Sequence, residues 1–430
     1  MLDALGISDT EELFAVIPEN LRAGELKIAG GGSEQELSAF FKKLAAKNKT
    51  LVSFRGAGIY DHFIPSLVEE ITGRSEFRTA YTPYQAEASQ GTLQAIFEYQ
   101  SMISAITAMD TSNASLYDGA SAAAEAAMLA LRVSGKKKIL LSCALHPEYA
   151  RTIETYLENS GARISTLDLS SGGDIEKSVV ENAVDDNTAA VIIQSPNYLG
   201  IVEDMQSLCA ASKNAGALFI AVVNPISLGF FTAPGEYGAD IAVGEGQPLG
   251  CSMGFGGATF GFMTVKKALE WKMPGRVVGQ TTDRDGKRGF VLTLQSREQH
   301  IRREKATSNI CTNAALNALA GCVYLSGWGN EGFKKLAWTN MSKAGYAFGR
   351  ISAIEGFSAK FGNSVFFNEF VIDTQKDIKK INRVLLKNGF LAPLHLSDFS
   401  KDFKKSLLFC VTEQRTKAEI DKLAELLAGI

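Results

Sequence analysis

The chain has 430 residues, with 44 Lys and Arg against 47 Asp and Glu, a formal net charge of −3 and 46% hydrophobic residues. The near-balance of charge gives no electrostatic reason to expect nucleic acid or a membrane surface as partner. A composition this ordinary predicts a large core shared among about two or three domains.

The six cysteines, Cys143, Cys209, Cys251, Cys311, Cys322 and Cys410, are scattered without a CxxC pair, and the four histidines lie far apart. Reduced thiols and no metal site are the expectation. The opening MLDALGISDTEELF carries acids and lacks a basic n-region, so it reads as neither secretory signal nor transit peptide. The apolar runs are too short to span a bilayer, and a cytoplasmic protein is expected.

In chain order, Ser8-Asp-Thr-Glu11 fits a capping box with Ser8 as N-cap, and Ser33-Glu-Gln-Glu36 repeats the pattern ahead of LSAFFKKLAAK. Pro18 ends or bends the first element. These short helices and the turn Gly30-Gly31-Gly32 make an N-terminal arm. A helix over Thr92–Thr107 and an Ala-rich helix over Ala120–Arg132 follow. Short apolar runs then alternate with helices: 138–144, 162–167, 189–194, 217–223, 240–243 and 259–265, with helices at 147–159 and 205–215 among them. This is the pattern of an α/β fold with a mostly parallel sheet covered on both faces, whose ligands sit at the carboxyl ends of the strands. The stretch 266–312 is less regular and highly charged. A buried helix at 314–325, strands at 365–371 and 407–412 and a last helix at 417–427 predict a small C-terminal α+β domain. The expected divisions are 1–110, 111–312 and 313–430.

Four positions occur in an order that pyridoxal phosphate (PLP) chemistry explains. Asp118-Gly-Ala-Ser121 opens the Ala-rich helix, where free N–H groups favour an anion, with the Ser121 hydroxyl beside them. The other reading is a plain N-cap. His146 follows the strand ending at 144, where an aromatic ring stacks on the cofactor; it also fits a His-Pro turn. Asn224 ends the strand 217–223, where a carboxylate would pair with the pyridinium nitrogen. Gln247, in GADIAVGEGQPLG, stands 23 residues after Asn224, at the place of the Schiff-base lysine. An amide cannot form an imine, so the two chemically decisive groups are replaced. Lys266 and Lys267 come one strand later and read as solvated.

Several long motifs are similar to a known family: Phe54-Arg-Gly-Ala-Gly-Ile-Tyr-Asp-His62, Tyr81-Thr-Pro-Tyr-Gln-Ala-Glu87 with Ser89-Gln-Gly91, Asn113-Ala-Ser-Leu-Tyr-Asp-Gly-Ala120, Pro234–Ile241, Gly244-Glu-Gly-Gln247 and the long run Thr293–Thr312. Over nearly its whole length the chain resembles the glycine dehydrogenase (decarboxylating) P-protein family, its N-terminal or alpha half. Ala258-Thr259 departs from the expected Gly-Pro. The resemblance implies a PLP-dependent transferase fold of type I, aspartate-aminotransferase-like. It implies PLP on a partner beta subunit, in an α2β2 arrangement, with glycine decarboxylated there and the aminomethyl group passed to lipoylated H-protein. Residues lent across the interface are then expected from Tyr81, Tyr84, Gln85 and Glu87, with Ser89 and Gln90 behind them; a simple turn before the helix is the competing reading. Arg297, Arg302, Arg303 and Lys305, with Thr307, Ser308 and Asn309, form a basic cluster suited either to phosphate or carboxylate or to interface salt bridges. Arg55 and His62 are further candidates. Two rival functions stay open: a catalytically silent structural subunit that stabilises the beta subunit and docks H-protein, and a self-sufficient PLP decarboxylase using another lysine.

Overall fold

The structure, a computed structural model, describes residues 1–24 and 27–430. It divides into two compact units, residues 1–50 and residues 51–430.

In the first unit, helix Glu34–Ala45 starts as its sequence predicts. Ser33 Oγ accepts from the Glu36 amide, and the Glu36 carboxylate accepts from the Ser33 amide. The earlier box is displaced by one residue. Asp9 rather than Ser8 is the N-cap of the 3₁₀ turn Thr10–Phe14, and Glu12 rather than Glu11 closes it. Ser, Asp and Thr in succession are all competent caps; Ser8 instead donates its amide and hydroxyl to Glu12. None of the described residues of this unit is buried.

The second unit is built on a seven-stranded sheet. Its strands are β1 (Thr111–Ser112), β2 (Lys138–Ser142), β3 (Arg163–Leu167), β4 (Thr188–Ser195), β5 (Leu218–Val223), β6 (Ile241–Glu245) and β7 (Gly261–Val265). The spatial order is β1-β7-β6-β5-β4-β2-β3. Strands β2 to β6 are mutually parallel, and β7 runs antiparallel to β6 and to β1. Expected and observed ends of β2 to β7 agree within two residues.

Alternate residues feed two cores, as the period of two requires. Leu140, Val191, Ile193, Phe219 and Ala221 point to one face; Ile139, Leu141, Ile192, Ile220 and Val222 point to the other. The second face is covered by helix Gly119–Ser134, whose Ala122, Ala123, Ala126, Ala127 and Ala130 are fully buried. Methyl groups alone on that face let the helix lie close to the sheet.

The irregular stretch holds an unexpected antiparallel hairpin, β8 (Val277–Thr282) with β9 (Arg288–Thr293). Its charges are mostly in the turn, where Asp283 accepts from the amides of Asp285 and Lys287. The buried helix expected at 314–325 is the start of a longer one, Ala315–Ser352, interrupted at Gly329. There φ is 60° and ψ 179°, a conformation essentially reserved for glycine.

The C-terminal sheet has the order β10-β11-β13-β12, with β10 (Phe357–Ala359), β11 (Glu369–Thr374), β12 (Leu394–His395) and β13 (Ser406–Cys410), all antiparallel. The expected strand at 365–371 begins four residues later, at Glu369. Helices Ile378–Lys387 and Lys417–Ala428 cover this sheet. Val52–Ser53 pairs in parallel with Phe390–Leu391, and Phe54 is fully buried in the same cluster. This anchors the segment that follows, 55–63. Among the described residues no helix is long and apolar enough to cross a membrane.

Candidate functional site

The strand order reverses between β2 and β4, and a crevice at the carboxyl ends of a parallel sheet is where such folds bind ligands. His146 follows β2, Gln194 ends β4, Asn224 follows β5 and Glu245 ends β6. All four border one cavity, joined by Gly58, Tyr60, Tyr149 and Asn368. The cavity measures about 30 Å³, space for about two water molecules at most.

The cavity is small because segment 57–60 fills the crevice, and two of the expected cofactor positions, Gln247 and His146, hold it there. Gln247 is 1% exposed. Its Oε1 accepts from the Tyr60 amide at 2.9 Å, and its Nε2 donates to the Tyr60 carbonyl at 3.0 Å and to the Cys251 carbonyl at 2.8 Å. The amide reads the backbone of Tyr60 on both sides, which a lysine ammonium, a donor only, cannot do. The His146 ring bonds the Ala57 carbonyl through Nε2 at 3.0 Å and accepts the Glu148 amide at Nδ1 at 3.1 Å. These roles fix one neutral tautomer, in keeping with the pKa that burial depresses. Gly58 lies so close that a Cβ there would stand 3.0 Å from His146 Nε2, at a φ of +103°. Asn224 caps the turn Pro225–Gly229 through Oδ1. The Nδ2 groups of Asn224 and Asn368 are buried without a protein partner at the same cavity.

Glu369 completes the closure from the C-terminal sheet. It accepts from the Ala57 amide and from the Tyr60 hydroxyl, both at 2.7 Å. Burial pushes its carboxyl up to about 7.

The helix N-terminus at Ser121 is committed as well. Ser121 and Asp118 form a capping box, with Asp118 Oδ1 accepting the Ser121 amide at 2.7 Å. The Gly119 amide donates to Glu245 Oε2 at 3.0 Å, and Glu245 Oε1 accepts from the Gln247 amide. Burial raises the Glu245 carboxyl to about 7. A Cβ at Gly119 would collide with the Tyr149 hydroxyl, so little space is left in front of this helix. A ring and phosphate need an open crevice and free amides at the helix start; here the crevice holds about 30 Å³, and the Gly119 and Ser121 amides are already bonded to Glu245 and Asp118. The residues present here do not fit PLP.

The residues expected to be lent lie elsewhere, on the outer surface. Tyr81 is 83% exposed and Tyr84 56%, and Gln85 and Glu87 are exposed too. Tyr84 is nevertheless fixed in place. Its hydroxyl accepts from Arg276 Nη2 at 2.9 Å, its ring centroid lies 5.0 Å from the same guanidinium, and the His300 ring meets its edge at 6.3 Å. Arg276 also donates to Thr82 Oγ1, Thr312 Oγ1 and the Cys311 carbonyl. Behind this loop, Ser89 flanks the helix start, and Gln90 clamps β9 by bonding both the amide and the carbonyl of Phe290.

The basic cluster does not converge on one point. Arg297 is buried against the Leu294 and Gly275 carbonyls. Arg302, Arg303, Lys305 and Asn309 are exposed. The Thr307 carbonyl accepts from Arg132, and Ser308 Oγ accepts from the Ile310 amide, so both pin their loop internally. Arg55 is exposed and donates to the Ala392 carbonyl, and His62 is buried against Glu413 at 2.8 Å. Lys266 is paired with Asp240 at 3.2 Å rather than simply solvated, next to the start of β6 and at the opposite end from Gln247; Lys267 is exposed.

Sequence reading passed over Arg276, Glu245, Tyr60 and Glu369. Glu245 sits inside the Gly244-Glu-Gly-Gln247 motif. A lone Arg after Pro274-Gly275, heading the apolar strand β8, was the available signal for Arg276.

Comparison with known proteins agrees with the motifs. The model of the family described as glycine cleavage system P-protein matches residues 1–427. A probable glycine dehydrogenase (decarboxylating) subunit 1 of Endomicrobium trichonymphae is 69% identical over 428 residues, covering 100% of this chain and 97% of the relative. The protein of the same description from Desulfitobacterium hafniense is 48% identical, covering 98% and 95%. A crystal structure of glycine decarboxylase (P-protein) of the glycine cleavage system, in inhibitor-bound form, superposes with a TM-score of 0.90 at 41% identity, covering 100% of this chain and 97% of that one. A sphingosine-1-phosphate lyase of Burkholderia pseudomallei, 14% identical with a TM-score of 0.68 over 95% of this chain and 92% of that one, shares the fold alone. The fold is that of the type I PLP-dependent enzymes, and the chain belongs to the glycine cleavage system P-protein family.

Proposed function

We propose that this chain is the subunit of glycine dehydrogenase (decarboxylating) that carries no Schiff base, and that it serves a PLP-bearing beta subunit in the cytoplasm, as an α2β2 assembly. The assembly decarboxylates glycine and transfers the aminomethyl group to lipoylated H-protein. This chain's share of the reaction is to lend surface residues to the partner's site, with Tyr84 and Glu87 foremost and Tyr81 and Gln85 beside them. The observation that carries the reading is the contrast between two places. The crevice at the strand ends is closed by segment 57–60, which Gln247, His146 and Glu369 hold in place. The 81–87 loop presents polar side chains outward, yet Tyr84 is held by a buried guanidinium. A side chain that is both exposed and immobilised suits contact with a second protein's site.

The test is Tyr84→Phe and Glu87→Gln, each assembled with the beta subunit and assayed for glycine-dependent exchange of carbon dioxide. At least one is expected to lose roughly 10-fold or more in kcat/KM, the range for one hydrogen bond to a charged group. Full activity in both, with normal assembly, would instead favour a purely structural subunit.

A further inference from the structure

We propose that Arg276 is the positioning residue for the Tyr84 hydroxyl, turning its proton outward to bond an anionic oxygen in the partner subunit's site. The inference rests on the proposed role of the 81–87 loop and adds the device that makes the loop work.

A guanidinium has five N–H groups in a fixed fork. Here Nη1 donates to Thr82 Oγ1 at 2.7 Å and Thr312 Oγ1 at 2.9 Å, while Nη2 donates to Tyr84 Oη at 2.9 Å and the Cys311 carbonyl at 2.8 Å. Nε faces Glu298 at 3.7 Å, an ion pair rather than a hydrogen bond. Arg276 is 3% exposed, so it does not itself reach a partner. It joins the 82–84 loop to residues 311–312, two segments far apart in sequence; of the four residues it bonds through Nη, Tyr84 and Cys311 are exposed, and only Tyr84 is bonded through a side chain that is itself exposed, since Cys311 offers its backbone carbonyl.

The chemistry follows from the direction of the bond. The guanidinium only donates, so the Tyr84 oxygen accepts and the hydroxyl proton is left for another acceptor. Among the described residues the Tyr84 hydroxyl has no second hydrogen-bond partner. Donation from a cation into the oxygen polarises the O–H bond and strengthens it as a donor. The guanidinium against the ring and the His300 edge fix the ring's direction. Acceptors that match a strong outward donor are a carboxylate or phosphate oxygen.

The experiment uses the assembled two-subunit enzyme with Arg276→Lys, Tyr84→Phe and the double variant. Lysine keeps the charge and loses the fork. Arg276→Lys is expected to raise one binding constant roughly 10-fold, with kcat changed far less, and to have no further effect in the Tyr84→Phe background. A rise in KM for glycine assigns the acceptor to the substrate carboxylate, and a rise in the dissociation constant of PLP assigns it to the cofactor phosphate. Thr312→Val, which removes one of the hydroxyls holding the guanidinium, carries the same test should Arg276→Lys not assemble. Effects of Arg276→Lys and Tyr84→Phe that multiply, or neither constant moving while Tyr84→Phe is impaired, would overturn the role of Arg276 alone. A Tyr84→Phe enzyme with wild-type constants would overturn the reading beneath it.

Discussion

The Gln247 amide makes three hydrogen bonds from a fully buried position, two of them to one residue, Tyr60. Removing it leaves the Tyr60 amide and carbonyl and the Cys251 carbonyl without those partners. Gln247→Ala is expected to destabilise the chain by roughly 2–4 kcal/mol, read as a lower urea midpoint, because buried unsatisfied groups bear the full desolvation cost. An unchanged midpoint would show that the amide is a bystander. That Asn224 and Gln247 follow the ends of the neighbouring strands β5 and β6 was legible in the sequence, since strand spacing is local information. What the amide binds was not legible. Its partner Tyr60 is 187 residues away, and nothing in either motif specifies that pairing.

Among the elements, segment 55–63 has the most to do and the least secondary structure. It is anchored by Phe54 in the C-terminal core, tied through Ala57 and Tyr60 to Glu369, and bonded to His146 and Gln247. The Glu369 carboxyl, held near 7 by burial against an ordinary 4.5, makes this closure sensitive to pH. Its folded-state pKa is raised, so the folded chain binds the proton more tightly than the unfolded one. The stabilisation is complete below about pH 4.5 and is lost as pH rises through about 7, for about 3 kcal/mol in all. Burial raises Glu245 and Glu203 in the same sense. Urea midpoints at pH 5 and pH 8 are expected to differ less in Glu369→Gln than in the wild type. An undiminished difference would assign the pH dependence to other groups. The regular elements were legible because β2, β4, β5 and β6 are largely apolar runs between helices. The hairpin β8-β9 was missed because its charged turn outweighed two short strands, and the break at Gly329 because it interrupts no apolar pattern.

At the scale of the whole molecule, two surfaces differ in kind. At one end of the central sheet, the crevice is filled from within by segment 57–60. The loop around Tyr84 keeps its polar groups outward, held by Arg276, which lies 192 residues from Tyr84. Under the proposed function, a chain arranged in this way works through a partner. The most direct measurement is borohydride reduction of the assembled two-subunit enzyme loaded with PLP, followed by mass spectrometry of both chains. The account predicts a pyridoxyl group on a lysine of the partner subunit and none on this chain. A pyridoxyl group on any lysine of this chain, Lys266 or Lys267 included, would contradict it.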